Sequence, residues 1–85
     1  MLAATNYRYI LSSPGVKGGH PRIEGTRICV HSVVAYHLKG FSVDQIRECF
    51  PDLSRAQVYE SLAYFEDHRA EIEPLARQEL AEPGK

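Results

Sequence analysis

Two helix starts built on one plan constrain the fold of this chain more than any other feature. Ser42-Val43-Asp44-Gln45 and Ser54-Arg55-Ala56-Gln57 each put a serine at the position before a helix and a glutamine three residues later. In such a box the hydroxyl accepts the N–H of the glutamine, and the glutamine side chain accepts the N–H of the serine. Two backbone donors that a helix start would otherwise leave unpaired are satisfied. Phe41 and Leu53 precede the serines, and Ile46 and Val58 follow at the fourth helical position, the pairing of a hydrophobic staple. The spacing predicts helices that begin at residues 43 and 55. Pro51 disfavours helical geometry at Phe50, so the first is short.

Upstream, Val30, Val33, Val34, Tyr36 and Leu38 recur at helical spacing, and Gly40 suits the left-handed residue that closes a helix. The last predicted helix carries Val58, Leu62 and Phe65 on its core face and runs to about residue 72, with Pro74 stopping or kinking it. Residues 75–82 extend the helical pattern and 81–85 fray. Nearer the start, Tyr7–Ser12 alternates as a short strand, and Ser13-Pro14-Gly15 and Gly18-Gly19-His20-Pro21 break the chain. Residues 22–28 read as a hairpin turning at Glu24-Gly25. The expected architecture is mainly α in a single domain, 1–85. A β segment (7–28) precedes a three-helix core (30–72) with a helix-turn-helix at 42–68, and an acidic tail (73–85) follows.

At 85 residues, such a core is small. A chain this size buries only about 60–65% of its unfolded surface, and a strand set this incomplete seeks another edge. A homodimer is therefore expected. No apolar run reaches the roughly 18–20 residues of a membrane span. The first residues lack the pattern of a secretory signal, so a cytoplasmic location is expected. Cys29 and Cys49 are flanked by apolar residues and read as reduced core thiols, with a single disulfide as the other option. His20, His31, His37 and His68 form no CxxC, HxxxH or HExxH spacing, so neither a metal nor another cofactor is expected.

The net charge of −1 conceals a division. Residues 1–40 hold five bases against one acid, and residues 41–85 hold five bases against ten acids. Two faces with two kinds of partner follow from that split. Nothing points to an enzyme: no glycine pattern matches a phosphate loop, and Asp44, Glu48 and Asp52 at four-residue steps read as a solvated helix face. The five tyrosines read as core or interface residues rather than a base-stacking platform.

In a helix-turn-helix the last helix enters the major groove with its N-terminal residues toward the bases. Arg55, Gln57, Glu60 and Ser61 are expected to face outward, Arg55 toward guanine or phosphate and Gln57 toward adenine. Phosphate contacts fall to Arg8, Lys17, Arg22, Arg27 and Lys39. The candidate DNA-binding set is Arg22, Arg27, Ser54, Arg55, Gln57 and Ser61. Against it stand the capping role of Gln57 and the acids Glu60, Glu66 and Asp67 on the same helix.

The ordered pattern Ile10-Leu11-Ser12-Ser13-Pro14-Gly15, Gly18-Gly19-His20-Pro21-Arg22-Ile23-Glu24-Gly25-Thr26-Arg27-Ile28, Gly40, Ser42, Pro51-Asp52-Leu53-Ser54 and Ala63-Tyr64-Phe65 resembles a family of small prokaryotic proteins. That family is a domain of unknown function, number four hundred and thirty-three, and is similar to VapB-type antitoxins. The resemblance spans about residues 7–73, and Cys29 stands where the family pattern has proline. It implies a homeodomain-like helix-turn-helix fold and an antitoxin paired with a PIN-like ribonuclease toxin. The expected function is then a DNA-binding antitoxin that neutralises its toxin and represses its own operon. The other reading is a dimeric protein-interaction module that never touches DNA. For the partner, Ile72, Leu75 and Leu80, with Ala76, form a thin apolar stripe in the acidic stretch 66–82. The stripe could face a groove on the partner, and the acidic stretch that carries it suits the basic RNA-binding surface of a nuclease.

Overall fold

A computed structural model describes residues 3–4, 7–12 and 20–81. The breakers Ser13-Pro14-Gly15 and Gly18-Gly19, the base Lys17 and the terminal residues 82–85 lie outside the described residues. The chain is mainly helical. Strands β1 (Ala3–Ala4), β2 (Ile10–Ser12) and β3 (Arg22–Ile23) precede helices α1 (Val30–Leu38), α2 (Val43–Cys49), α3 (Arg55–Asp67) and α4 (Arg69–Leu80). The strands form one antiparallel sheet in the order β1-β2-β3, with Ala4 opposite Leu11 and Ile10 opposite Ile23.

Both capping boxes form, and α2 and α3 begin at the expected residues. Ser42 Oγ accepts the Gln45 N–H at 3.1 Å while Gln45 Oε1 accepts the Ser42 N–H at 2.8 Å. The same exchange joins Ser54 and Gln57 at 3.1 and 2.7 Å. Gly40, at φ +94°, closes α1. Its N–H donates to the His37 carbonyl at 2.9 Å, and the Phe41 N–H donates to the Tyr36 carbonyl at 3.1 Å. These are the two bonds of a Schellman motif, and the Tyr36 and Phe41 rings supply its apolar contact at 5.2 Å.

The β segment is shorter than expected. Residues 7–9 are a bend, and the predicted hairpin reduces to β3 plus a single bridge from Arg22 to Cys29. The turn between them is held by Thr26. Its hydroxyl donates to the Ile23 carbonyl at 2.8 Å and accepts the Ile28 N–H at 3.0 Å, with Gly25 at φ +81°. Cys29 precedes α1 without a side-chain cap, and the Pro21 carbonyl accepts the Val30 N–H at 3.0 Å. The thiols do not sit in the core: neither is in a disulfide, Cys29 is half-buried and Cys49 is exposed.

Helix α1 lies between two apolar clusters. Val30, Val34 and Ala35 pack with Ile10, Tyr64, Phe65, Ile72 and Ala76. Val33 packs with Ile23, Ile46, Leu53 and Val58, and half-buried Leu62 touches both clusters. The two staple pairs, Phe41 with Ile46 and Leu53 with Val58, belong to this second cluster, so the devices that start α2 and α3 also seat them.

The C-terminal third departs most from expectation. The third helix ends at Asp67 rather than near 72. His68, at φ −133° and ψ 43°, is the one non-helical residue before α4, which continues through Pro74 to Leu80. The turn at His68 lets Ile72 and Ala76 reach α1, and both are fully buried there. Pro74 is tolerated because Ala70, whose carbonyl lacks the usual N–H four residues on, is exposed and faces water. What reads in the sequence as a tail is a core helix.

Candidate functional site

The outward side of α3 is the surface most clearly left free by this packing. Val58, Ser61, Tyr64 and Phe65 are buried, which turns Arg55, Ala56, Tyr59, Ala63 and Glu66 outward. Tyr59 is 55% exposed and is the large hydrophobic residue left open among the described residues. Small alanines lie one helical turn to either side of it, at 56 and 63, so a partner surface can approach the ring closely. At the N-terminal end of the face, Arg55 Nη1 lies 2.7 Å from Asp44 Oδ1 in α2.

The unit of α2, the turn and α3 is rich in acids. Asp44, Glu48, Asp52, Glu66 and Asp67 are exposed on α2, the turn and α3. Glu60 and Asp67 also anchor the N-terminal segment: the Tyr9 N–H donates to Glu60, and the Tyr7 hydroxyl donates to Asp67. The Asp67 bond, helped by burial and nearby negative charge, pushes the Tyr7 phenol up to about 12. Tyr7 stands edge-on to Tyr64 at 4.9 Å, and Tyr64 stacks on His68 at 4.2 Å.

The residues expected to read DNA are scattered. Arg55 is exposed and paired. Ser54 and Gln57 hold each other in the capping box, and releasing a cap costs about 1 kcal/mol. Ser61 does not face outward: it is fully buried, and its hydroxyl donates to the Gln57 carbonyl at 2.9 Å. Glu60 is half-buried rather than outward. Arg22 is half-buried on β3, and Arg27 is exposed just beyond the Gly25 turn. Arg8 lies over the Tyr9 ring at 5.2 Å, and Lys39 lies over Tyr36 and Phe41 at 5.6 and 5.7 Å.

The apolar stripe expected to bind a partner is already occupied. Ile72 is buried against α1, Leu80 is partly buried on the same cluster, and Leu75 is half-buried. Tyr59 is the residue that the sequence reading missed. Its signal was its place one position beyond Val58, about 100° around the helix from the core stripe.

Among the described residues no three His, Cys, Asp or Glu side chains are grouped to hold a metal ion. Among the described residues no helix is long and apolar enough to cross a membrane.

Comparison with known proteins decides the family. Residues 10–65 match the family described as "Protein of unknown function (DUF433)". The chain belongs to that family. This DUF433 protein is similar to a DUF433 member from Anabaena variabilis ATCC 29413 whose crystal structure is known. The two share 31% identity at a TM-score of 0.71, over 80% of this chain and 67% of that one. It is also 35% identical over 66 residues to the uncharacterized protein y4eO of Sinorhizobium fredii (strain NBRC 101917 / NGR234). That stretch is 78% of the DUF433 chain but 28% of y4eO, so the chain spans under a third of that relative's length.

Proposed function

We propose that this protein is an antitoxin-like module in which α2, the turn and α3 act as a homeodomain-like helix-turn-helix whose outer face engages a basic ribonuclease. The observation that carries the reading is Tyr59, an exposed ring flanked by alanines, on a unit whose exposed acids include Asp44, Glu48, Asp52 and Glu66. Exposed aromatic residues beside small neighbours make good interface anchors. Exposed acids on the same unit suit a partner that must itself attract RNA, and complementary charge speeds their encounter. The PIN-like ribonuclease implied by the family resemblance has that chemistry. The protein would occupy the nuclease's RNA-binding surface and so silence it.

A second reading keeps DNA as the ligand of the same face. Arg55 is exposed at the start of α3, where a recognition helix carries its base contacts, and Ala56 suits a thymine methyl. Repression of its own operon would then rest on Arg55, with Arg22 and Arg27 on phosphate.

Purification of the full chain from its native host, wild type beside Tyr59→Ala, separates the two. The first reading expects a co-purifying ribonuclease that becomes active when high salt strips it off, and its loss from Tyr59→Ala. Recovery of duplex DNA with no nuclease would overturn it in favour of the second.

A further inference from the structure

The α3–α4 junction is held by a single residue, and the chemistry on both sides of it favours a continuous helix. His68 alone separates Asp67 from Arg69. Its N–H already donates to the Tyr64 carbonyl at 2.9 Å, and its carbonyl already accepts the Ile72 N–H at 3.0 Å, both at helical spacing. The Arg69 guanidinium already pairs with Glu66 across the break at 2.8 Å, as neighbours on one helix do. Neither glycine nor proline lies between Glu66 and Glu73. Moving His68 into the helical region would also give the N–H groups of residues 69–71 the carbonyls of 65–67, removing one helix end on each side.

A continuous helix over residues 55–80 would be roughly 39 Å long at about 1.5 Å per residue. The longest extent of the folded chain is 33 Å. α4 would therefore leave the body of its own molecule. The face carrying Ile72, Ala76 and Leu80 would be bare, and so would the face of α1 carrying Val30, Val34 and Ala35. The surface that fits each is the other, and a second copy in the same state offers both. Exchange of identical elements restores every buried contact and is a low-cost route to dimers.

We propose that α4 is an exchangeable arm, and that two copies of this chain dimerise by seating each other's α4 on α1 with His68 as the hinge. In the closed form the stack of His68 on Tyr64 and the bond from Tyr7 to Asp67 hold the hinge bent. The closed form prevails in dilute solution and the exchanged form at high concentration.

Ser32 on α1 and Glu79 on α4 report which chain an α4 belongs to, because Ser32 Oγ lies 3.0 Å from Glu79 Oε1. In a full-length background with Cys29→Ser and Cys49→Ser, one chain carries Ser32→Cys and the other Glu79→Cys. The two are mixed at high concentration and treated with a short bis-maleimide. A covalent dimer of about twice 9.6 kDa is expected from the mixture and from neither chain alone. His68→Ala, checked for helicity by circular dichroism, is expected to raise its yield several-fold. Two glycines inserted after His68 are expected to lower it. A mixture that stays uncross-linked, with or without His68→Ala, overturns the proposal, as does a dimer whose yield ignores both hinge variants.

Discussion

The Arg55 guanidinium and the Asp44 carboxylate meet at 2.7 Å across the first turns of α3 and α2. Both side chains are more than half exposed, so the pair contributes at most about 1 kcal/mol to stability. Its larger effect is on what Arg55 can do, since a paired cation is a poorer ligand for phosphate. Asp44→Asn is expected to leave the thermal midpoint nearly unchanged. If duplex DNA is a ligand, the same change tightens binding at low salt and steepens its salt dependence, and Arg55→Ala reverses both. Fluorescence anisotropy at two salt concentrations measures this.

Ile72→Ala separates a core helix from a loose tail. A fully buried isoleucine cut to alanine costs about 2–5 kcal/mol, whereas a residue on a solvated tail costs under about 0.5 kcal/mol. Urea denaturation is expected to give the larger value. Truncation after His68 should unfold the chain for the same reason, because it strips one whole side of the Val30 and Val34 cluster.

Gly40→Ala is expected to destabilise by about 1–2 kcal/mol, since φ +94° places a Cβ where L-residues are disfavoured. No neighbouring atom lies near the added carbon, so the loss is one of backbone conformation alone. Gly40→Asn should recover part of it, which thermal melts of the two variants would show.

Stability should fall at both ends of the pH range, for different groups. Burial holds the His31 imidazole below its ordinary 6.5, with Glu79 opposing and His20 reinforcing the shift. Its unfolded form therefore takes up a proton first. That contribution is complete above pH 6.5 and is lost as pH falls through the lowered folded value. Tyr7 works the other way. Its phenol is held up to about 12 from 10.0, so its contribution is complete below pH 10 and is lost as pH climbs toward 12. His31→Gln should flatten the acid limb and Tyr7→Phe the alkaline limb of the denaturation midpoint against pH.

The starts of α2 and α3 were legible because capping is local: Ser42 with Gln45 and Ser54 with Gln57 need nothing beyond four residues of chain. The stop of α1 was legible for the same reason at Gly40. The break at His68 was not, because no residue there refuses a helix. It arises from Ile72 and Ala76 reaching the flank of α1, which is a property of the whole fold. Ser61 was misplaced for a different reason. It lies three residues after Val58 and four before Phe65, on the core face by spacing, and only its polarity argued otherwise. Its hydroxyl finds the Gln57 carbonyl within its own helix, so burial leaves no group unpaired. Of the candidate site, Arg55 was readable from its place at a helix start. Tyr59 was not, since an aromatic in a helical pattern reads first as core.

The segment from Pro21 to Ile28 does masonry. The Pro21 carbonyl receives the first N–H of α1, Ile23 is walled into the core, and the Thr26 hydroxyl locks the corner that Gly25 turns. A chain that shares this stretch inherits a foundation for its first helix. In the proposed function, the choice of partner is written elsewhere, on the few outward positions between 55 and 63. Two proteins alike at the corner can therefore answer to different partners, and exchanging those outward residues between them should carry the partner along while the frame stands unchanged.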